Sequence, residues 1–234
     1  MKNIFLSATM PASSSTTCVI GDIHGCHTAL TLLLPKILHR ADSLVFLGDY
    51  VDRGPHSKEV VATLISLQRT HPRVIYIMGN HDLLFLQYLS GQESALFLRV
   101  GGRQTLASYG LDPAGDRDQI ARLVPPEHLA FLKSLPLYWE DSHAIYVHAG
   151  LQPGRHLAQQ TSQWCLWAGE EFYQSTYDFG KPVVFGHTTF KKPLLTINRI
   201  GIDTGAVYGG RLTALLLPDR EVVSVPGNPE NLSF

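Results

Sequence analysis

The residues that could do chemistry stand in five short polar blocks, each at the end of a hydrophobic run. They are Gly21-Asp22-Ile23-His24-Gly25, Gly48-Asp49-Tyr50-Val51-Asp52-Arg53-Gly54, Gly79-Asn80-His81-Asp82, His148-Ala149-Gly150 and Gly186-His187-Thr188. Together they supply carboxylates, imidazoles, one amide and one arginine, the inventory of a two-metal site that cleaves phosphate esters. Asp22 and His24 are two apart, so one small turn can aim both at a point, and Asp49 ends the neighbouring run. Two carboxylates and an imidazole suit manganese, iron or zinc. Asp49 could bridge two ions with its two oxygens, and Arg53 offers a planar fork that matches two phosphate oxygens. The Asn80 amide can ligate a metal without adding charge, and His81 beside it can donate a proton. Taken singly, an Asp-x-His between glycines is more often a turn than a ligand pair. Four histidines at strand ends are harder to explain as packing.

The elements that must position these blocks can be read from hydrophobic spacing. Short apolar runs at Thr17 to Ile20, Ser43 to Leu47 and Val74 to Met78 have the profile of buried strands that hand their last residues to a site. Between the first two, Leu30, Leu33, Leu34, Ile37 and Leu38 fall on one helical face. Ser57 reads as the N-cap of a second helix marked by Val60, Val61, Leu64, Ile65 and Leu67. Leu83 to Leu89 resumes helix. This β-α-β-α-β rhythm implies a sheet with helices packed on it and ligands at the C-terminal ends of its strands. Residues 91–135 break the rhythm and read as a mostly helical insertion beside the site, with Pro125-Pro126-Glu127 opening a helix. From Leu137 onward strands dominate, interrupted by helix near Gln163 to Tyr173. That many strands predict an α/β fold of two packed sheets with helices outside.

Composition narrows the class. Apolar residues at 44% and charged residues at 17% fit a globular chain with one substantial core. A net charge of -1 excludes a generally basic binder, so no nucleic-acid duplex is expected as a partner. No apolar run reaches the ~18 residues that a membrane span needs, so no membrane is expected either. Residues 1–16 read as a disordered leader and 17–234 as a single domain. Three widely spaced cysteines predict a reducing, cytoplasmic setting without a structural disulfide. Cys26, next to the first block, is read as a small residue opening a helix, with metal ligation as the alternative.

Taken in order, G-D-I-H-G, G-D-Y-V-D-R-G, G-N-H-D, H-A-G and G-H-T resemble the motifs of the metallophosphoesterase superfamily. Within it they resemble the bacterial phosphoprotein phosphatases related to calcineurin and the phage lambda phosphatase. The block Asp203 to Leu212 is similar to that family too. The resemblance implies a sandwich of two mixed sheets and two divalent metal ions, manganese first, with iron or zinc as alternatives. It implies Asp22, His24 and Asp49 on one ion, and Asp49, Asn80, His148 and His187 on the other. Arg53, with Asn80 and Tyr208, would contact the phosphate, and His81, oriented by Asp52, would protonate the leaving oxygen. The implied activity is a phosphomonoesterase acting on phosphoserine or phosphothreonine in a protein or peptide.

Two departures open alternatives. Asp82 stands where most such protein phosphatases have glutamate, and it also resembles the diadenosine tetraphosphate hydrolases of the same superfamily. Gly169 stands where relatives carry a second phosphate-binding arginine, so Arg155 and Arg211 are candidate replacements. The alternatives are therefore a hydrolase of dinucleoside polyphosphates or another small phosphoester, and, in a different class, a non-catalytic phosphate-binding regulatory module.

Overall fold

The computed structural model describes residues 15–92, 95–115 and 117–228. The leader expected over 1–16 therefore lies outside the described residues, apart from Ser15 and Thr16. The first three strands, β1 (Thr17–Ile20), β2 (Ser43–Phe46) and β3 (Val74–Tyr76), are parallel, with helices α1 (His27–Ile37) and α2 (Ser57–Thr70) as crossovers. Their register pairs Ile20 with Phe46 and Phe46 with Tyr76, so the three strands end level and their polar turns share one sheet edge. After β3 the chain enters α3 (Asn80–Leu89) at once, which makes Asn80, His81 and Asp82 the first turn of a helix.

Residues 95–133 carry α4 (Ala95–Phe97), a widened turn Leu98–Gly102, α5 (Arg103–Ser108), α6 (Arg117–Leu123) and α7 (Pro126–Lys133). Pro126 occupies the first turn of α7, where a missing N–H costs nothing. The second half supplies β4 (Tyr138–Glu140), β5 (Ile145–Val147), α8 (Ser162–Trp167), α9 (Glu170–Tyr173), β6 (Val183–Phe185), β7 (Leu194–Leu195), β8 (Arg199–Gly201), β9 (Arg211–Leu217) and β10 (Glu221–Pro226). One helix was expected near Gln163 to Tyr173, but Ala168 leaves helical geometry at ψ 142° and two short helices result.

The two sheets are mixed and five-stranded, ordered β10-β9-β1-β2-β3 and β4-β5-β6-β8-β7. Each has three neighbouring strands paired in parallel, β5, β6 and β8 in the second, and its other pairings are antiparallel. Alternation along each buried strand separates two cores. Val19 and Val45 face Tyr146, Val184 and Ile200 between the sheets, while Cys18, Ile20 and Phe46 face the helices. Both sheets therefore present the C-terminal ends of their parallel strands at one edge, and the five polar blocks follow those ends.

Candidate active site

Backbone conformation singles the site out before any side chain is considered. Six non-glycine residues among those described have positive φ, and five belong to the polar blocks: His24 (45°), Asp49 (52°), Asp52 (71°), Arg53 (67°) and His187 (61°). Such conformations cost on the order of 1 kcal/mol or more each and persist only where the surroundings fix them. The turns after β2 and β3 cross so closely that glycine is required. A Cβ on Gly79 would lie 2.1 Å from Asp49 Oδ1, and one on Gly48 would lie 2.4 Å from the Gly79 nitrogen.

The side chains converge as lone pairs. His24 Nδ1 donates to the Val51 carbonyl at 2.9 Å, and His148 Nδ1 donates to the Leu47 carbonyl at 2.9 Å. A neutral imidazole that donates through Nδ1 keeps its lone pair on Nε2. Those Nε2 atoms meet Asp49 Oδ2 at 3.2 Å and Asp49 Oδ1 at 3.5 Å, respectively. The Asn80 Oδ1 adds a further acceptor, 2.8 Å from His148 Nε2 and 3.1 Å from His187 Nδ1. Donor atoms of His24, Asp49 and His81 lie within 4.8 Å of one another, as do those of Asp49, His148 and His187. Asp49 belongs to both groups. Asp22 lies alongside, its two oxygens accepting the His187 N–H at 3.2 and 3.0 Å.

Charge follows from burial. Burial keeps the imidazoles of His24, His148 and His187 neutral, pushing His187 down to about 3. Burial alone pushes the Asp49 carboxyl up, but at the low pH where it would take a proton the surrounding His148, His81 and His24 carry positive charge, and they hold it well below the usual range. Asp22 goes the other way, raised by burial and by the carboxylates of Asp203 and Asp49. Buried acceptors facing acceptors, with the Asp49 carboxylate, neutral imidazoles and an Asp22 carboxyl whose ionisation a cation would favour, fit divalent cations of the manganese, iron and zinc type.

Asp52, Arg53 and His81 form the second part of the site. His81 Nδ1 and Asp52 Oδ2 are 2.8 Å apart, both residues buried. Burial pushes Asp52 up to about 8 and His81 down to about 4, so the pair is held with no net charge at neutral pH. Arg53 Nη1 donates to His24 Nε2 at 2.6 Å, and its guanidinium lies 5.4 Å from the centre of the half-exposed Tyr208 ring.

The other expected positions stand apart. Arg155 is exposed on a loop closed by Gln160, whose amide donates to the Arg155 carbonyl. Arg211 points across the β9–β10 pair, donating to the hydroxyl and carbonyl of Ser224. Gly169 sits two residues from Trp167, whose ring packs edge-on to His187 at 6.3 Å, and the Gly169 N–H donates to Glu171. Ser57 is not an N-cap. His56 precedes the helix without a side-chain cap bond, and the Ser57 hydroxyl turns instead toward Asp52 and Thr105. Cys26 is buried with its thiol pushed up to about 12 by burial, consistent with a packing role.

Three residues have roles here that the sequence reading did not assign to them. Asp82 accepts the backbone N–H groups of Gly79, Asp49 and Tyr50, tying the turns after β2 and β3 together. Its signal was available, because an acidic third residue after glycine at a helix start reads as a cap. Asp203, two residues past β8, accepts from Thr189 and from the Gly205 N–H beside Asp22. Thr105, from the 95–133 segment, bonds Asp52, and nothing in its sequence surroundings marks it.

Comparison with known proteins agrees with this geometry. The family profile for calcineurin-like phosphoesterases matches residues 15–189. A bis(5'-nucleosyl)-tetraphosphatase PrpE [asymmetrical] of Anoxybacillus flavithermus is 31% identical over 89% of this chain and 93% of its own length. A crystal structure assigned as a diadenosine tetraphosphatase superposes with a TM-score of 0.72 at 26% identity, covering 94% of this chain and 97% of that one. A serine/threonine phosphatase from Saccharomyces cerevisiae shares the fold with a TM-score of 0.64 at 16% identity, over 92% of this chain and 80% of that one.

Proposed function

We propose, from the premise that this chain belongs to the calcineurin-like phosphoesterase family, that it is a metal-dependent hydrolase of dinucleoside polyphosphates. The observation that carries this reading is the near full-length similarity to a relative named as a bis(5'-nucleosyl)-tetraphosphatase. Phosphoprotein hydrolysis, the substrate that the Asp52-Arg53-Gly54 block suggests, ranks second. The serine/threonine phosphatase likeness is one of fold alone.

Asp22, His24 and Asp49 would hold one divalent ion, manganese by preference, and Asp49, Asn80, His148 and His187 the other. Such ions supply charge neutralisation for phosphate oxygens and a water made acidic enough to act near neutral pH. The chain's own groups do the rest. The Val51 and Leu47 carbonyls fix the tautomers of His24 and His148, so that both offer lone pairs. Arg53 leaves the His24 lone pair for phosphate oxygens, with the Tyr208 ring beneath its guanidinium. His81 gives the proton on Nε2 to the leaving oxygen while Nδ1 stays on Asp52.

One assay decides between substrates. Metal-reconstituted protein is offered diadenosine tetraphosphate, a phosphoserine peptide and p-nitrophenyl phosphate at matched concentrations. The tetraphosphate should have the highest kcat/KM, by about tenfold or more. Turnover of the peptide with none of the tetraphosphate would overturn the reading, and inertness toward all three would favour a non-catalytic phosphate-binding module.

A further inference from the structure

We propose that Thr105 is a positioning residue for the proton donor of this site, acting on His81 through Asp52. The inference rests on the acid role given to His81 above. Thr105 lies 53 positions from Asp52 in the chain, yet its hydroxyl closes a ring with that residue. Thr105 Oγ1 accepts the Asp52 N–H at 2.7 Å and donates to Asp52 Oδ1 at 2.7 Å.

A threonine hydroxyl has one proton to give. With that proton committed to Asp52 Oδ1, the contact of Thr105 with Ser57 Oγ at 3.1 Å must have serine as donor. A chain of bonds results: Ser57 donates to Thr105, Thr105 donates to Asp52 Oδ1, and Asp52 Oδ2 shares a hydrogen bond with His81 Nδ1. All four residues are buried, so water does not compete for these bonds. The chain fixes which carboxylate oxygen meets His81 and leaves Nε2 for the substrate.

The hydroxyl also has work to do during proton transfer. Before it, one proton lies between Asp52 Oδ2 and His81 Nδ1, 2.8 Å apart, and another is on Nε2. When the Nε2 proton passes to the leaving oxygen, Nδ1 keeps its proton and Asp52 is left as a carboxylate. The Thr105 O–H on Oδ1 stabilises that new charge where it forms. The same segment holds the neighbouring residue, since the Gly101 carbonyl accepts the Arg53 N–H at 3.0 Å. The helical segment at 95–108 therefore braces the acid and the phosphate clamp together.

The test compares phenyl phosphate, whose leaving group needs a proton, with p-nitrophenyl phosphate, whose leaving group does not, on the metal-loaded enzyme. Thr105→Val keeps the shape and removes the hydroxyl. It should lose about tenfold more kcat on phenyl phosphate than on p-nitrophenyl phosphate, a fraction of what a whole acid contributes. Thr105→Ser should restore both rates to within about threefold, and the His81 ring nitrogen shifts in NMR should move in Thr105→Val but not in Thr105→Ser. If Thr105→Val does not fold, Ser57→Ala takes its place, with the same selectivity expected at about threefold. Equal losses on both substrates, or none, would overturn the inference. His81→Asn run alongside separates the two readings. If it also loses equally on both substrates, the acid role itself falls; if it is selective and the Thr105 variants are not, only the positioning role does.

Discussion

The turns after β2 and β5 both deliver residues of the two candidate metal groups, but they are held in opposite ways. In the first, Asp49, Asp52 and Arg53 have positive φ, and help comes from elsewhere in the chain. Asp82 takes the N–H groups of Asp49 and Tyr50, Thr105 takes that of Asp52, and Gly101 takes that of Arg53. The second turn continues a regular strand. His148 keeps negative φ, its carbonyl accepts the Gly186 N–H at 2.8 Å, and Ala149 donates to the Cys165 carbonyl at 2.8 Å. The strained turn carries Asp52 and Arg53, the groups proposed above to act on phosphate, and the relaxed one carries only a proposed ligand. Strain of this kind persists only while its braces do.

The largest expected effect follows from removing the brace that serves most donors. Asp82→Ala leaves three buried N–H groups without their acceptor and should lower stability by about 3–5 kcal/mol. The matched change on the β5 side is Thr161→Ala, which removes the hydroxyl that accepts the Trp164 N–H at the start of α8. It should cost only about 1 kcal/mol. Urea melts of the metal-free variants measure both. Equal losses would mean that the two turns are braced alike and that the backbone contrast has no energetic weight.

Metal linkage gives the next effect. Manganese at a hundredfold its dissociation constant should stabilise the protein by about 2.7 kcal/mol, and chelation should remove that gain. Asp49 stands in both donor groups and His187 in one. Asp49→Asn should therefore abolish the manganese-induced rise in melting temperature, whereas His187→Asn should keep part of it. A full rise in Asp49→Asn would show that Asp49 does not join the two groups.

The contrast between the turns also explains what could be read from sequence. The five blocks and their strands were legible because each couples an apolar run to glycine and a short polar residue, and those signals are local. The level ends of β1, β2 and β3 followed from the βαβ rhythm. Asp22, His24, Asp49, Asn80, His148 and His187 could thus be named together. The braces were not legible in the same way. Thr105 reaches Asp52 only because α5 packs against α2, and no local pattern announces a contact across 53 residues. Ser57 illustrates the opposite error. A serine opening a helix looks like a cap, but tertiary contact claimed its hydroxyl instead. Strand β7 also went unread, because two residues are too few to show alternation.

The smallest effect concerns Gly169, beyond both turns. A Cβ there would meet only Glu171 Oε2, at 3.4 Å, so a larger side chain has room. A well-placed cationic donor can be worth about 100- to 1,000-fold in turnover, but only when it is aimed at the transition state. Here Glu171 already folds back to accept the Gly169 N–H at 3.1 Å, and Glu170 stands beside it. An arginine introduced at 169 would meet those carboxylates first. Gly169→Arg alone should therefore change kcat/KM on p-nitrophenyl phosphate by no more than about threefold, while Gly169→Arg with Glu171→Gln should raise it further. Arg155→Ala should stay within about twofold, since its side chain is exposed on a loop closed by Gln160 rather than by site residues. A tenfold gain from Gly169→Arg alone would show that Glu171 does not guard the position. A tenfold loss from Arg155→Ala would make that arginine the second phosphate clamp, and the relaxed β5 turn would then carry more than a ligand.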